Sequence, residues 1–374
     1  MNRVAMFIIF ITIASLIYFG LHLFVYKFIA KSLELPGNTR KILKLFFWVS
    51  GLSFFISVLL SRVFKVYFLN LYGNIWLGII AIAFFVLFIT WVVVKFVPSQ
   101  TRLLTIIALG IIGFISLYSL VNGLQKPVVK EITIPIKKLP KELSGFSIVQ
   151  LSDLHMEVYK SKSQVPYIVD TVNALKPDLI VITGDLIEGD ICDNPEFCEH
   201  LKRLKATHGV MAVTGNHEFY SGIQNFLKLA KKTNIRVLRN EHVTIADSVQ
   251  IIGLDDDDSR RFDSRGPDLD TAINGCDRSK PIILLYHRPT NFDRAVQKGV
   301  DLQLSGHTHA GQIPPMDLLV YFYYKYPFGL YKKNGSTIYT TAGTGYWGPP
   351  MRFLSRSEIV KITLVSNQAL EINN

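Results

Sequence analysis

Five short stretches of this chain gather the residue types that bind metal ions. They are SDLHM (152–156) with Asp153 and His155, TGDL (183–186) with Asp185, GNHE (215–218) with Asn216, His217 and Glu218, YHRP (286–289) with His287, and SGHTHAG (305–311) with His307 and His309. Five of the nine histidines of the chain fall within them. A spacing of two belongs to an extended strand end, where alternate side chains share a side. Asp153 with His155, and His307 with His309, are therefore expected to point pairwise to one place. Oxygen and imidazole donors without a thiolate suit Mn²⁺, Fe or Zn²⁺ better than a structural zinc–thiolate site. Seven such donors are too many for one ion and fit two ions that share a carboxylate. Gly184, Gly215 and Gly306 let the backbone turn sharply where donors must converge.

Each stretch follows a run that reads as a strand. The runs are SIVQL (147–151), DLIVI (178–182), GVMAVT (209–214), PIILL (281–285) and DLQL (301–304), with further strands expected at 249–254, 337–341 and 358–365. Helical patterns separate them, at 165–175 and 223–232 among others. Mostly buried strands alternating with helices imply an α/β layered domain whose site sits at the strand ends. The three cysteines, Cys192, Cys198 and Cys276, form no C-x-x-C pattern and suggest neither a zinc knuckle nor a disulfide framework.

The first third has a different texture. Four apolar stretches, at about 4–26, 45–61, 75–97 and 103–124, approach or exceed the length needed to span a bilayer. The second is short and would rely on Lys44 and Arg62 reaching the interfaces. This predicts an all-α, four-helix, multi-pass transmembrane region over 1–124 and a catalytic domain over 125–374. The formal net charge is +11, of which residues 1–124 carry +9. That charge flanks the apolar stretches, so it points to bilayer headgroups, and no nucleic-acid partner is expected. Four spans put the N-terminus and the catalytic domain on one side. That side has eight basic residues near span ends against seven on the other, which favours the cytoplasmic face, although the first loop alone argues the opposite.

The ordered set D-x-H, G-D, G-N-H-E, H and G-H-x-H resembles the calcineurin-like metallophosphoesterases, over about residues 145–365. The apolar front end and the tail TTAGTGYWGPPMRF (340–353) look like its membrane-anchored branch, whose wider relatives include enzymes that cleave UDP-2,3-diacylglucosamine. The resemblance implies a two-sheet α/β sandwich flanked by helices. It also implies two divalent ions and hydrolysis of a phosphoester or pyrophosphate by a hydroxide held between them. One ion would take Asp153, His155, Asp185 and His309. The other would take Asp185, Asn216, His287 and His307, with Asp185 shared. His217 would be a catalytic histidine beside the leaving group, with Glu218 orienting its ring. Ser/Thr protein phosphatases of the same superfamily carry G-D-Y-V-D-R-G where this chain reads GDLIEGD (184–190). The missing arginine argues against a phosphoprotein substrate. A phosphorylated, lipid-linked substrate at the membrane surface is expected instead, of which a nucleotide-sugar lipid is one form. A sensor or scaffold without catalysis is the rival class, and decay of a metal-binding position would favour it.

Arg288 and Arg352 are candidates for gripping substrate phosphate. DDDD (255–258) reads as a solvated loop compensated by the SRR that follows. LLVYFYYKYPFGLYKK (318–333) reads as a long loop packing its rings on the domain, or else as a lip resting on the bilayer interface.

Overall fold

The computed structural model describes residues 3–64, 68–189 and 191–366. The chain forms two units. The helical unit comprises residues 1–124 together with 312–318 and 348–354, and the α/β unit holds the rest.

In the helical unit, α1 (Arg3–Ser32), α2 (Gly37–Phe64), α3 (Phe68–Val93) and α4 (Thr101–Gly123) are each long and apolar enough to cross a membrane. Pro36 and Pro98 mark the breaks, because neither the residue before a proline nor the proline itself continues a helix easily. The second helix is longer than its apolar stretch. It continues N-terminally through Arg40, Lys41 and Lys44, whose straight side chains suit a helix. Val25, Ile80, Leu87 and Ala108 pack in the interior of the helical unit, while Leu16, Ile42 and Phe114 are more than half exposed on the outside, as lipid contact requires. His22 is buried among the helices. Its Nδ1 donates to the Tyr18 carbonyl (2.8 Å) and its Nε2 accepts from Trp76 Nε1 (2.8 Å), which ties α1 to α3.

The segments 312–318 and 348–354 complete this unit. Met351 packs with Ile82 and Ile313. The Arg352 N–H donates to the Ser119 carbonyl (2.8 Å), and Asn122 Nδ2 donates to the Arg352 carbonyl (2.9 Å). A Cβ at Gly123 would lie 2.4 Å from the Pro350 oxygen, so only glycine fits there.

The α/β unit holds two six-stranded sheets. Its strands in chain order are β1 (Val128–Ile136), β2 (Ser147–Leu151), β3 (Leu179–Thr183), β4 (Val210–Val213), β5 (Ile235–Val237), β6 (Glu241–Ile245), β7 (Val249–Gly253), β8 (Ile282–Leu285), β9 (Leu302–Ser305), β10 (Gly329–Lys333), β11 (Ser336–Thr340) and β12 (Glu358–Ser366). One sheet has the order β1-β12-β2-β3-β4-β5 and the other β10-β11-β9-β8-β7-β6. Within the first, β2, β3, β4 and β5 run parallel. Within the second, β7, β8, β9 and β11 do.

Alternate residues of the inner strands face different cores. Ile148, Val181, Met211, Ile251, Ile283 and Leu304 fill the space between the sheets. Val149, Ile180, Ile182 and Ala212 face outward onto α5 (Val158–Ala174), α6 (Pro195–Lys202) and α8 (Ile223–Lys232), meeting Ile168, Phe197 and Phe226. With both faces covered, these strands read as unbroken apolar runs instead of alternating ones. This is the two-sheet α/β sandwich flanked by helices that the resemblance implies. All three cysteines are free.

The reading of 318–333 as a long loop is overturned. A helix, Met316–Tyr323, and the strand β10 take up most of it, and Phe322 is 87% exposed. The DDDD reading is corrected as well. Asp255 and Asp256 are fully buried. Arg239 forks onto Asp255 through Nε and Nη2 (both 2.8 Å), and Arg288 forks onto Asp256 (2.7 and 2.8 Å). The compensating charges come from distant strand ends, because a buried carboxylate needs a partner at hydrogen-bond distance.

Candidate metal centre

Parallel strands deliver their C-terminal ends to one edge of each sheet, and the chemistry-bearing residues leave from those ends. Asp153 and His155 follow β2, Asp185 follows β3, and Asn216 and His217 open α7 (Asn216–Tyr220) after β4. His287 follows β8, and His307 and His309 follow β9. Among the described residues three donor groups result: Asp153, His155 and His309; His155, Asp185 and His217; and Asp185, His287 and His307. Within each, the ligand atoms lie within 4.8 Å of one another.

The convergence is not strand alternation. Asp153 (φ 53°), His155 (φ 44°), Asp185 (φ 52°), His307 (φ 72°) and His309 (φ 51°) all have left-handed backbone. That region is costly for residues with a Cβ and recurs at functional sites. His307 and His309 consequently enter different groups. The glycines matter mainly for space. A Cβ at Gly215 would lie 2.1 Å from Asp185 Oδ1, and one at Gly306 would lie 2.1 Å from Asp153 Oδ2. Gly184 needs both space and freedom, since its φ is 91° and a Cβ would meet His287 Nδ1 at 2.6 Å.

Several observations show that the donor set fits cations. His287 Nδ1 donates to the Thr183 carbonyl (2.8 Å), which turns its Nε2 to face His307 Nδ1 (3.1 Å) and Asp185 Oδ2 (3.1 Å). His155 Nδ1 faces Glu188 Oε2 (3.1 Å), which turns its Nε2 toward His309 Nε2 at 3.1 Å. Partners of this kind on the far nitrogen fix the tautomer of metal-binding histidines. Asp185 Oδ2 is also 3.6 Å from His155 Nε2, so one oxygen adjoins both histidine pairs. Asn216 Oδ1 is buried without a hydrogen-bond partner among the described residues. A buried acceptor left in this state calls for a ligand.

Glu188 is the residue that sequence reasoning passed over. Its Oε2 also meets His217 Nδ1 at 2.7 Å. Burial disfavours the charged His217 ring, but Glu188 and then Asp185 outweigh it and raise its pKa to about 9. Burial likewise works against the Glu188 carboxylate, and the two imidazoles bring it down to about 2. The available signal was its place three residues after Asp185 in GDLIEGD. Glu218, expected to orient His217, is used otherwise. Its carboxylate accepts from the backbone N–H groups of Gly215 (2.7 Å), Asp185 (2.9 Å) and Leu186 (2.8 Å), and so clamps the β3 loop to α7.

The two arginines are not drawn into the donor groups. Arg288 commits its fork to Asp256 and Asp258, and that pairing keeps it firmly charged. Arg352 belongs to the helical unit and is fully buried there.

The family of calcineurin-like phosphoesterases has a model that matches residues 146–311, a segment holding every donor named above. A transmembrane protein with metallophosphoesterase domain from Danio rerio is 38% identical over 272 residues, which cover 70% of this chain and 62% of that protein. An uncharacterized metallophosphoesterase of Helicobacter pylori is 42% identical over 252 residues, covering 66% and 67%. Another from Campylobacter jejuni is 30% identical over 379 residues, covering 96% and 98%, so this similarity extends through the apolar helices.

Proposed function

The chain belongs to the calcineurin-like metallophosphoesterase family, and on that premise we propose that it is a membrane-anchored phosphohydrolase acting at a two-ion centre. The observation that carries the reading is the shared carboxylate. Asp185 Oδ2 lies beside His155 Nε2 on one flank and His287 Nε2 on the other. In this reading Asp153, His155, Asp185 and His309 hold one ion, and Asp185, Asn216, His287 and His307 hold the second. Two divalent ions bound there would lower the pKa of a water and neutralise charge on the phosphoryl oxygens.

The chain's own groups do the rest. Asp153 accepts the His307 N–H (3.0 Å), which fixes the β9 loop against the β2 loop. His217, held at Nδ1 by Glu188, keeps Nε2 for the leaving oxygen and gives it a proton. Trp347 stands 5.8 Å from the His217 ring and is 55% exposed, offering an aromatic wall on the leaving-group side.

The substrate class proposed is a phosphodiester, pyrophosphate or phosphomonoester presented at the membrane surface and joined to a lipid. Four apolar helices in the same chain support that setting. The cytoplasmic face for the α/β unit is part of the proposal, and its digestion by protease on intact cells would refute it. The deciding experiment supplies purified full-length protein with Mn²⁺ and tests nitrophenyl diesters, phospholipids and nucleotide-sugar lipids. Turnover abolished by chelation and restored by Mn²⁺ is expected. Protein that binds no ion and turns over none of these substrates would overturn the reading.

A further inference from the structure

The helical unit contains a cavity of about 670 Å³ that the centre does not use. It lies where α1 and α3 end and α4 begins, whereas α4 finishes at Gly123 at the opposite end of the unit. One stripe of α1 lines it, with Phe24, Lys27, Phe28 and Lys31 spaced by three and four. Trp91 lines it from the last turn of α3, Lys95 from the turn that follows, and Arg102 from the first turn of α4.

Four cations thus surround one cavity, two from α1, one from the turn after α3 and one from α4, and Glu34 is the one acid in its lining. Among the described residues none of the four makes an ion pair. Lys95 Nζ sits 3.6 Å over the Trp91 ring, and the lysines of α1 fall in the last turns of the apolar stretch Ile11–Ser32. That is the depth of the headgroup layer. Ordinary flanking lysines would splay toward water singly. Here they line one cavity, and an anion bound in it would relieve their mutual repulsion.

The apolar side of the cavity distinguishes a lipid from a free anion. Phe24 stacks with Phe28 (6.1 Å) and meets Phe84 (5.3 Å) and Phe88 (6.4 Å), so a column of rings runs from the cavity down the helices into the apolar zone. We infer that this cavity binds the phosphate headgroup of an anionic glycerophospholipid, with the acyl chains lying along the ring column.

The test uses purified full-length protein in detergent, titrated with phosphatidylglycerol, phosphatidylcholine or inorganic phosphate, with bound lipid counted by native mass spectrometry. Phosphatidylglycerol should be retained in preference to phosphatidylcholine, and inorganic phosphate should not displace it at equal concentration. Lys27→Gln, Lys31→Gln and Arg102→Gln together should weaken phosphatidylglycerol binding on the order of a hundredfold, each charge contributing about fivefold. Arg40→Gln, Lys41→Gln and Lys44→Gln remove equal charge from the adjoining start of α2, outside the cavity lining, and should change binding by less than about twofold. If the cavity triple does not fold, Arg102→Gln alone should still cost about fivefold. Equal weakening by both triples, equal retention of the two lipids, or displacement by phosphate at equal concentration would overturn the inference. The readout is binding, so it stands or falls independently of hydrolysis.

Discussion

Glu188→Ala removes one carboxylate from two imidazoles, and the two losses can be measured separately. The carboxylate meets His155 at 3.1 Å and His217 at 2.7 Å. A hydrogen bond to a charged group contributes about 1.5–3 kcal/mol. The Glu188 side chain is 27% exposed, so the lower figure applies, about 1.5 kcal/mol or roughly tenfold for each imidazole. The His155 share should appear as roughly tenfold weaker Mn²⁺ affinity, in line with losses on removing a partner of a metal-binding histidine. The His217 share should appear as roughly tenfold slower turnover that persists at saturating Mn²⁺. Hydrolysis of a nitrophenyl diester across a Mn²⁺ titration reads both. In a His217→Ala background at saturating Mn²⁺, Glu188→Ala should cost nothing further, because residues acting through one group are not additive. Turnover within twofold of the parent at every Mn²⁺ concentration, or a full additional loss in the His217→Ala background, would refute the assignment.

Asp185→Asn should remove both ions from a protein that still folds, and metal analysis finding two ions retained would contradict the shared carboxylate. His217→Ala should keep its metal while turnover falls by roughly 10²–10⁴. The fall should be smaller for nitrophenyl than for alkyl leaving groups, and equal losses would argue against proton donation. Gly306→Ala pushes a Cβ into Asp153 Oδ2 at 2.1 Å, so activity should drop by about a hundredfold from displacement of that carboxylate. Unchanged kcat/KM would show that the loop yields. Arg239→Met strands the fully buried Asp255, which should cost about 3–5 kcal/mol and lower the thermal midpoint of the α/β unit by roughly 10 °C. A shift below about 2 °C would mean that Asp255 finds another partner or takes up a proton.

The inner strands were legible because both of their faces are buried, so SIVQL and PIILL appear as unbroken apolar runs. The edges were not. β1 alternates exposed and half-buried residues over most of its length and contains Pro135, and β10 carries its two lysines into solvent contact, so neither shows a core-strand pattern. The donor residues were legible because each closes a strand run. What aims them was not, since left-handed backbone at Asp153 or His309 leaves no periodic trace. Glu188 stayed hidden for a related reason. It reaches His155 and His217 from an irregular loop, and the link is made only when three separate strand ends come together. Arg352 lies within a family-like tail in the sequence, yet its environment is set by Ser119 and Asn122, more than two hundred residues earlier.

Two stretches from late in the chain finish the helical unit, and this has a consequence for how the protein is made. The four long helices leave the ribosome well before Ile313, Met351 and Arg352 exist. During that interval the site that Met351 fills beside Ile82 is open, and the Ser119 carbonyl lacks the N–H it accepts in the finished protein. The membrane region therefore cannot close by sequential folding as it emerges. It must wait for β1 through β11 to be synthesised before Leu354 completes it. Severing the chain after residue 124 would accordingly leave each product incomplete: helices with an unfilled groove, and an α/β unit bearing the apolar segments that belong in it.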